Sequence, residues 1–217
     1  MSLQYQIIPV TSYQQNCSIV WCDETMKGVV IDPGGDVKLL KQAIDALKIE
    51  VVNLVLTHGH LDHVGGTQEL AAITNAPVVG PHKEDNFWLQ GLPKQSHMFG
   101  FPHTDAFEPT TWLNEGDVVT FGNQELNVVH TPGHTPGHVV LFNQEAKMAF
   151  VGDVLFKGGV GRSDFPKGDH ETLIASIKTK LWPLGNEMKF VPGHGPESTF
   201  GHERKTNPFV ADEMPLW

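Results

Sequence analysis

Six consecutive positions, His58-Gly59-His60-Leu61-Asp62-His63, hold three imidazoles and one carboxylate. A divalent cation makes neutral imidazole and ionised carboxylate the favoured forms of such groups, which otherwise crowd one another for little structural gain. The segment follows the apolar run Val51-Val52-Asn53-Leu54-Val55-Leu56, whose composition predicts a short buried strand. Residues two apart at a strand mouth can aim at one point. His58 and His60 can therefore share one ion, while Asp62 and His63 turn toward a second.

Three later segments repeat this grammar of apolar strand, turn and ligand-type residue. In His130-Thr131-Pro132-Gly133-His134-Thr135-Pro136-Gly137-His138, each Pro-Gly pair forces a turn and leaves His134 at the loop centre as the candidate ligand. Phe150-Val151-Gly152-Asp153 puts a carboxylate at a strand end, within reach of either ion. Phe190-Val191-Pro192-Gly193-His194-Gly195 does the same with an imidazole. Together the segments supply two coordination spheres made of His and Asp without Cys, the donor set of catalytic sites that keep a position open for water.

The elements that must carry these loops read as follows. Segments 5–10, 17–22 and 28–31 predict strands, and Asp36 is expected to cap a helix through Val37, Leu40, Ile44 and Leu47. Strand 51–56 delivers the first motif, Thr67 is expected to cap a short helix, Pro77 to Val79 predicts a strand, and 81–90 a short helix. Segment 91–111 has no period and is expected to be an irregular wall of the site. Strands follow at 118–121, 125–130, 138–142 and 148–151, then a helix capped by Asp169 and stopped by Pro183. Two groups of strands with helices in each half imply an α/β sandwich of two sheets covered by helices.

At 217 residues, with Pro and Gly spread between periodic segments, one domain over residues 1–217 is expected. Cys17 and Cys22, five apart in one strand, lie on opposite faces and are expected to be reduced, which suits a cytoplasmic protein. No stretch is long and apolar enough to span a bilayer, so no membrane partner is expected. A formal charge of −10 argues against a nucleic-acid partner, which needs Lys and Arg at its phosphates. His82, His97, His103, His170 and His202 lack the turn grammar and are expected to be solvated. The role of the tail from Ala211 to Trp217 is not legible.

The order Thr-His-x-His-x-Asp-His, Thr-Pro-Gly-His-Thr, Gly-Asp and Pro-Gly-His-Gly resembles the metallo-β-lactamase superfamily. Within it, Gly161-Arg162-Ser163-Asp164-Phe165-Pro166 and Glu203-Arg204-Lys205-Thr206-Asn207-Pro208-Phe209 resemble the glyoxalase II (hydroxyacylglutathione hydrolase) branch in its short, single-domain bacterial type. The resemblance implies an αββα metallo-β-lactamase-like sandwich of two mixed β-sheets. It implies that His58, His60 and His134 hold one ion, that Asp62, His63 and His194 hold the other, and that Asp153 bridges them. Zinc is the expected metal; iron and manganese accept the same donors.

The implied activity is hydrolysis of S-D-lactoylglutathione or a related acyl-glutathione thioester to D-lactate and glutathione, by a hydroxide shared between two ions and oriented by Asp62. Arg162, with Lys157 nearby in sequence, is the expected contact to a small-molecule thioester, and a monomer is expected. The sequence departs from the two-domain glyoxalase II pattern: it stops before the helical C-terminal domain, has Gly195-Pro196 where a tyrosine-bearing segment follows, and has Asp164 where Tyr or Phe stands. These departures imply looser glutathione recognition and a broader range of thioesters. The rival implied by Asp164 is a persulfide dioxygenase, with one iron on the equivalents of His58, His134 and Asp153.

Overall fold

The computed structural model describes residues 2–213. Its first sheet has the order β1 (Leu3–Val10), β2 (Gln15–Cys22), β3 (Lys27–Ile31), β4 (Glu50–Val55), β5 (Val78–Val79). The first two pairings are antiparallel and the last two parallel. The parallel crossovers carry α1 (Val37–Leu47), α2 (Leu61–Val64) and α3 (Thr67–Thr74); α4 (Asn86–Gln90) and α5 (Leu92–Phe99) follow.

The second sheet contains β6 (Val118–Phe121), β7 (Gln124–His130), β8 (Val139–Asn143) and β9 (Met148–Gly152), a meander. A small ribbon, β10 (Leu155–Phe156) with β11 (Gly159–Val160), and α6 (His170–Ser176) come next. Then β12 (Lys189–Pro192) joins β9 in parallel, β13 (Ser198–Thr199) closes that edge, and α7 (Phe200–Thr206) follows.

Alternation along the strands builds the layers. Val20, Val29, Ile31 and Val55 of the first sheet meet Phe121, Leu126, Val128, Leu141 and Phe150 of the second in a core between the sheets. The residues one step out of phase face outward. Ile19, Val30 and Leu54 bury against Leu40, Ile44 and Leu70 of α1 and α3. Val140, Ala149, Val151 and Phe190 bury against Leu173, Ile177 and Phe200. The expected αββα sandwich of two mixed sheets is what the chain forms. Cys17 and Cys22 are both buried and free, with Cys17 in the cluster beneath α1.

Three local expectations give way. Asp36 stands at the start of α1 with φ 47° and makes no cap, because its carboxylate takes the Thr11 N–H at 2.6 Å. Thr67 is already inside α3, whose N-cap position is Gly66. Segment 91–111 is not wholly irregular, since α5 occupies Leu92–Phe99. Its buried face is Leu92, Gln95 and Ser96, two of them polar, so no apolar period marks it. Asp169 does cap α6, accepting the Thr172 N–H at 2.7 Å.

Candidate active site

The loops that carry ligand-type residues leave β4, β7, β9 and β12 and meet at one end of the sandwich. His58 and His60 lie between β4 and α2, Asp62 and His63 in α2, His134 between β7 and β8, Asp153 just after β9, and His194 just after β12.

Three ring nitrogens form the first group. His60 Nδ1 lies 3.1 Å from His58 Nε2 and 3.0 Å from His134 Nε2. The other side of each ring decides which nitrogens are bare. Thr57 spends its hydroxyl proton on Asp32 Oδ2 at 2.6 Å, so at 3.0 Å it accepts the His58 Nδ1–H. His134 donates its Nδ1–H to the Arg162 carbonyl at 2.6 Å. Both Nε2 atoms are left as lone pairs that face His60. Burial, then neighbouring rings, keeps His58 well below the usual histidine range; burial and His134 push His60 down to about 3. Neutral imidazoles aimed at one point are what a divalent cation requires.

The second group pairs imidazoles with carboxylates. His194 Nε2 is 3.1 Å from Asp62 Oδ2, and His63 Nε2 is 3.3 Å from Asp153 Oδ1. Asp153 also lies 3.7 Å from His134 Nε2 and 3.8 Å from His194 Nε2, so it faces both groups. His63 gives its Nδ1–H to Asp32 Oδ2 at 2.8 Å and His194 gives its own to the Tyr13 carbonyl at 3.1 Å. A lone pair beside a carboxylate needs a cation between them. Accordingly, burial alone would lower His63, but Asp153 and Asp62 outweigh it and raise it well above the usual range. Burial would raise Asp153, yet His63, His134 and His194 hold it far below the carboxylate range.

Among the described residues, His63 Nε2 and Asp153 Oδ1 are buried polar atoms without a hydrogen-bond partner. Such orphans are costly unless something else satisfies them. Two three-residue sets, His58/His60/His134 and Asp62/His63/His194, each bring one donor atom per residue close enough to share an ion. The residues fit two divalent cations, with Asp153 between them.

Several supporting groups escaped the sequence reading. Asp32 takes the Thr57 N–H at 2.7 Å as well as the Thr57 hydroxyl and His63. Asp85 is fully buried and accepts from Gly59 N at 2.8 Å, Thr135 Oγ1 at 2.8 Å and Gly137 N at 2.6 Å, tying the His58/His60 loop to the His134 loop. His138, passed over in favour of His134, stacks on His58 with ring centres 4.7 Å apart and accepts the Asp153 N–H at 3.1 Å. The available signal was the strand-end carboxylate rule already used for Asp153: Asp32 directly follows the apolar run Val29-Val30-Ile31.

A cavity of about 400 Å³ opens over these groups, lined by Tyr13, Trp88, Phe99, Phe101, Phe156 and Phe165 among others, with Arg162 at its edge. Gln95 and the two Phe residues 99 and 101 give segment 91–111 the wall position expected of it. Lys157 does not join Arg162. It stands exposed in the turn between β10 and β11 and is not among the residues lining the cavity. His82, expected to be solvated, is half-buried and stacks on His130 at 4.2 Å, whereas His97, His103, His170 and His202 are exposed.

Comparison with known proteins places this geometry. Over 209 residues, 96% of this chain and 98% of the relative, the sequence is 46% identical to the hydroxyacylglutathione hydrolase GloC of Haemophilus influenzae. The crystal structure of the BLEG-1 B3 metallo-β-lactamase superposes with a TM-score of 0.88 at 34% identity, covering 95% of this chain and 99% of that one. That of TTHA1623 in a di-iron-bound form gives 0.86 at 35% identity, covering 94% and 100%. The sandwich, the converging His and Asp loops and a family match over residues 10–194 agree: the chain belongs to the metallo-β-lactamase superfamily.

Proposed function

We propose that the chain is a metal-dependent thioester hydrolase of glyoxalase II type, which converts S-D-lactoylglutathione or a related acyl-glutathione thioester and water into D-lactate and glutathione. The observation that carries this reading is the position of Asp153, 3.3 Å from His63 and 3.7 Å from His134, shared by two donor sets beneath one cavity. The 46% identity to a hydroxyacylglutathione hydrolase over nearly both full lengths supports the substrate class. A mononuclear oxygenase of the persulfide dioxygenase kind needs only three of these donors; Asp62, His63 and His194 gathered beside Asp153 favour the two-ion hydrolase.

In this reading His58, His60 and His134 would hold one ion, Asp62, His63 and His194 the other, with zinc the proposed metal. When bound, the cations acidify a water and polarise the thioester carbonyl. Asp62, partly buried in the cavity wall, accepts a hydrogen bond from the attacking water and turns its oxygen toward the carbonyl carbon. As the C–O bond forms and the C–S bond breaks, the proton given up by water ends on the departing sulfur. Trp88, Phe156 and Phe165 exclude bulk water from the scissile bond. The substrate is a small thioester, not a nucleic acid or a membrane, and the chain acts as a cytoplasmic monomer; no helix among the described residues is long and apolar enough to cross a bilayer.

The test is elemental analysis of the purified protein beside a thioester assay, repeated on Asp153→Asn. The expected result is two ions per chain and turnover of S-lactoylglutathione, with turnover in the variant reduced on the order of a hundredfold or more. One iron per chain with oxygen uptake on glutathione persulfide, or full activity in the variant, would overturn the assignment.

A further inference from the structure

Arg162 is the one Lys or Arg side chain among the described residues that line the cavity, and one of its hydrogen-bonding edges is already taken. Its Nε donates to Asp164 Oδ1 at 3.0 Å and its Nη2 to Asp164 Oδ2 at 2.8 Å, while its guanidinium carbon lies 4.3 Å over the Phe165 ring. This side-on, two-bond arrangement is one by which a guanidinium recognises a carboxylate. Both side chains are about two-thirds exposed (67% and 68%), so the pair contributes little to folding. Six Tyr, Trp and Phe side chains also line the cavity, and the chain as a whole carries a formal charge of −10.

We propose that Asp164 is a specificity determinant: its carboxylate occupies the Nε/Nη2 edge of Arg162 and offsets its charge, so carboxylate-bearing substrates bind in competition with it and neutral, apolar thioesters are admitted. This deepens the thioesterase reading and rests on it. A carboxylate arriving at the cavity finds the Nε/Nη2 edge of Arg162 occupied, is left its Nη1/Nη2 end, and approaches the charge of Asp164 as it binds. A neutral thioester meets neither obstacle and gains from the aromatic side chains.

Two measurements on the metal-loaded protein test this. The first is binding of S-hexylglutathione, a thioether that cannot be hydrolysed, to wild type, Asp164→Asn, Arg162→Ala and the double variant by calorimetry. Asp164→Asn is expected to tighten binding about two- to fivefold, the size of one exposed ion pair, and the double variant to lose that gain. The second is the ratio of kcat/KM for S-lactoylglutathione to that for the uncharged S-lactoyl ester of N-acetylcysteamine, which is expected to rise by the same factor in Asp164→Asn. Binding that is absent, unchanged or weaker in Asp164→Asn overturns the proposal, the weaker outcome showing that Asp164 positions Arg162 for substrate. If wild type hydrolyses neither ester, the thioesterase reading fails while the binding arm still decides the role of Asp164.

Discussion

Asp32 Oδ2 receives the Nδ1–H of His63 across 2.8 Å, with both side chains almost wholly out of solvent. The same oxygen takes the Thr57 hydroxyl, and through it the tautomer of His58. One carboxylate thus fixes the inward nitrogen of a ring in each donor set.

Asp32→Asn tests this. An amide keeps one acceptor and places an NH2 group against the Thr57 hydroxyl and His63, so at least one donor loses its partner. Metal affinity is expected to fall about 10- to 100-fold, and the metal-free protein to lose about 1–3 kcal/mol. Metal titration and urea unfolding measure both; wild-type affinity in the variant would show that the tautomers are set elsewhere.

The pH dependence of the metal-free protein follows from two opposed sets of histidines. Burial lowers His63 and His194, but Asp153 and Asp62 outweigh it for the first, and the Asp62 hydrogen bond with Asp153 for the second, so both are raised. A raised pKa contributes stability that is complete below the unfolded value of about 6.5 and is lost as pH climbs through the folded value. His58, His60, His134 and His138 are lowered, chiefly by burial, so their contribution is complete above about 6.5 and lost as pH falls. Chelator-treated protein should therefore be most stable near neutrality and decline on both sides. Bound cations replace the protons on His63 and His194, so the alkaline decline should vanish in the loaded protein. Urea midpoints for both forms at about pH 5.5, 7 and 8.5 give the comparison; an alkaline decline of equal size in the loaded protein counts against this account.

Asp85→Ala strips the acceptor from Gly59 N, Thr135 Oγ1 and Gly137 N in a buried region. Burial holds the Asp85 pKa up at about 6, so above that pH all three bonds go to an ionised carboxylate. Leaving these donors unpaired is expected to cost about 3 kcal/mol or more, lowering Tm by roughly 6–12 °C in a chain of this size. A Tm within a degree or two of wild type would show that the two loops are held together by other means.

Gly193→Ala separates the two donor groups. A methyl there would collide with Asp153 Oδ1 and lie 2.6 Å from His63 Cε1, while the first group of histidines stays clear of it. Elemental analysis is expected to show metal content falling from two ions toward one, with far-UV dichroism unchanged. Two ions bound at wild-type affinity would mean that Asp153 can move aside at no cost.

The strands were legible because the sandwich buries alternate residues on both faces of each sheet, as with Val139, Val140 and Leu141 in β8. The seven ligand-type residues stood out because they recur after apolar strands, yet the residues alone left open which ion Asp153 would face. Helix α5 was hidden because Gln95 buries an amide, not an apolar group: it accepts the Leu61 N–H at 3.0 Å and donates to the Trp88 carbonyl at 2.9 Å. Asp32 and Asp85 were hidden for a related reason. The worth of each comes from donors 25 to 52 residues away.

His58, His60, Asp62 and His63 are made by the first half of the chain; His134, Asp153 and His194 by the second. Neither half offers a full cage. The donor set is complete only where the two sheets meet, so an ion held by it would tie one sheet to the other.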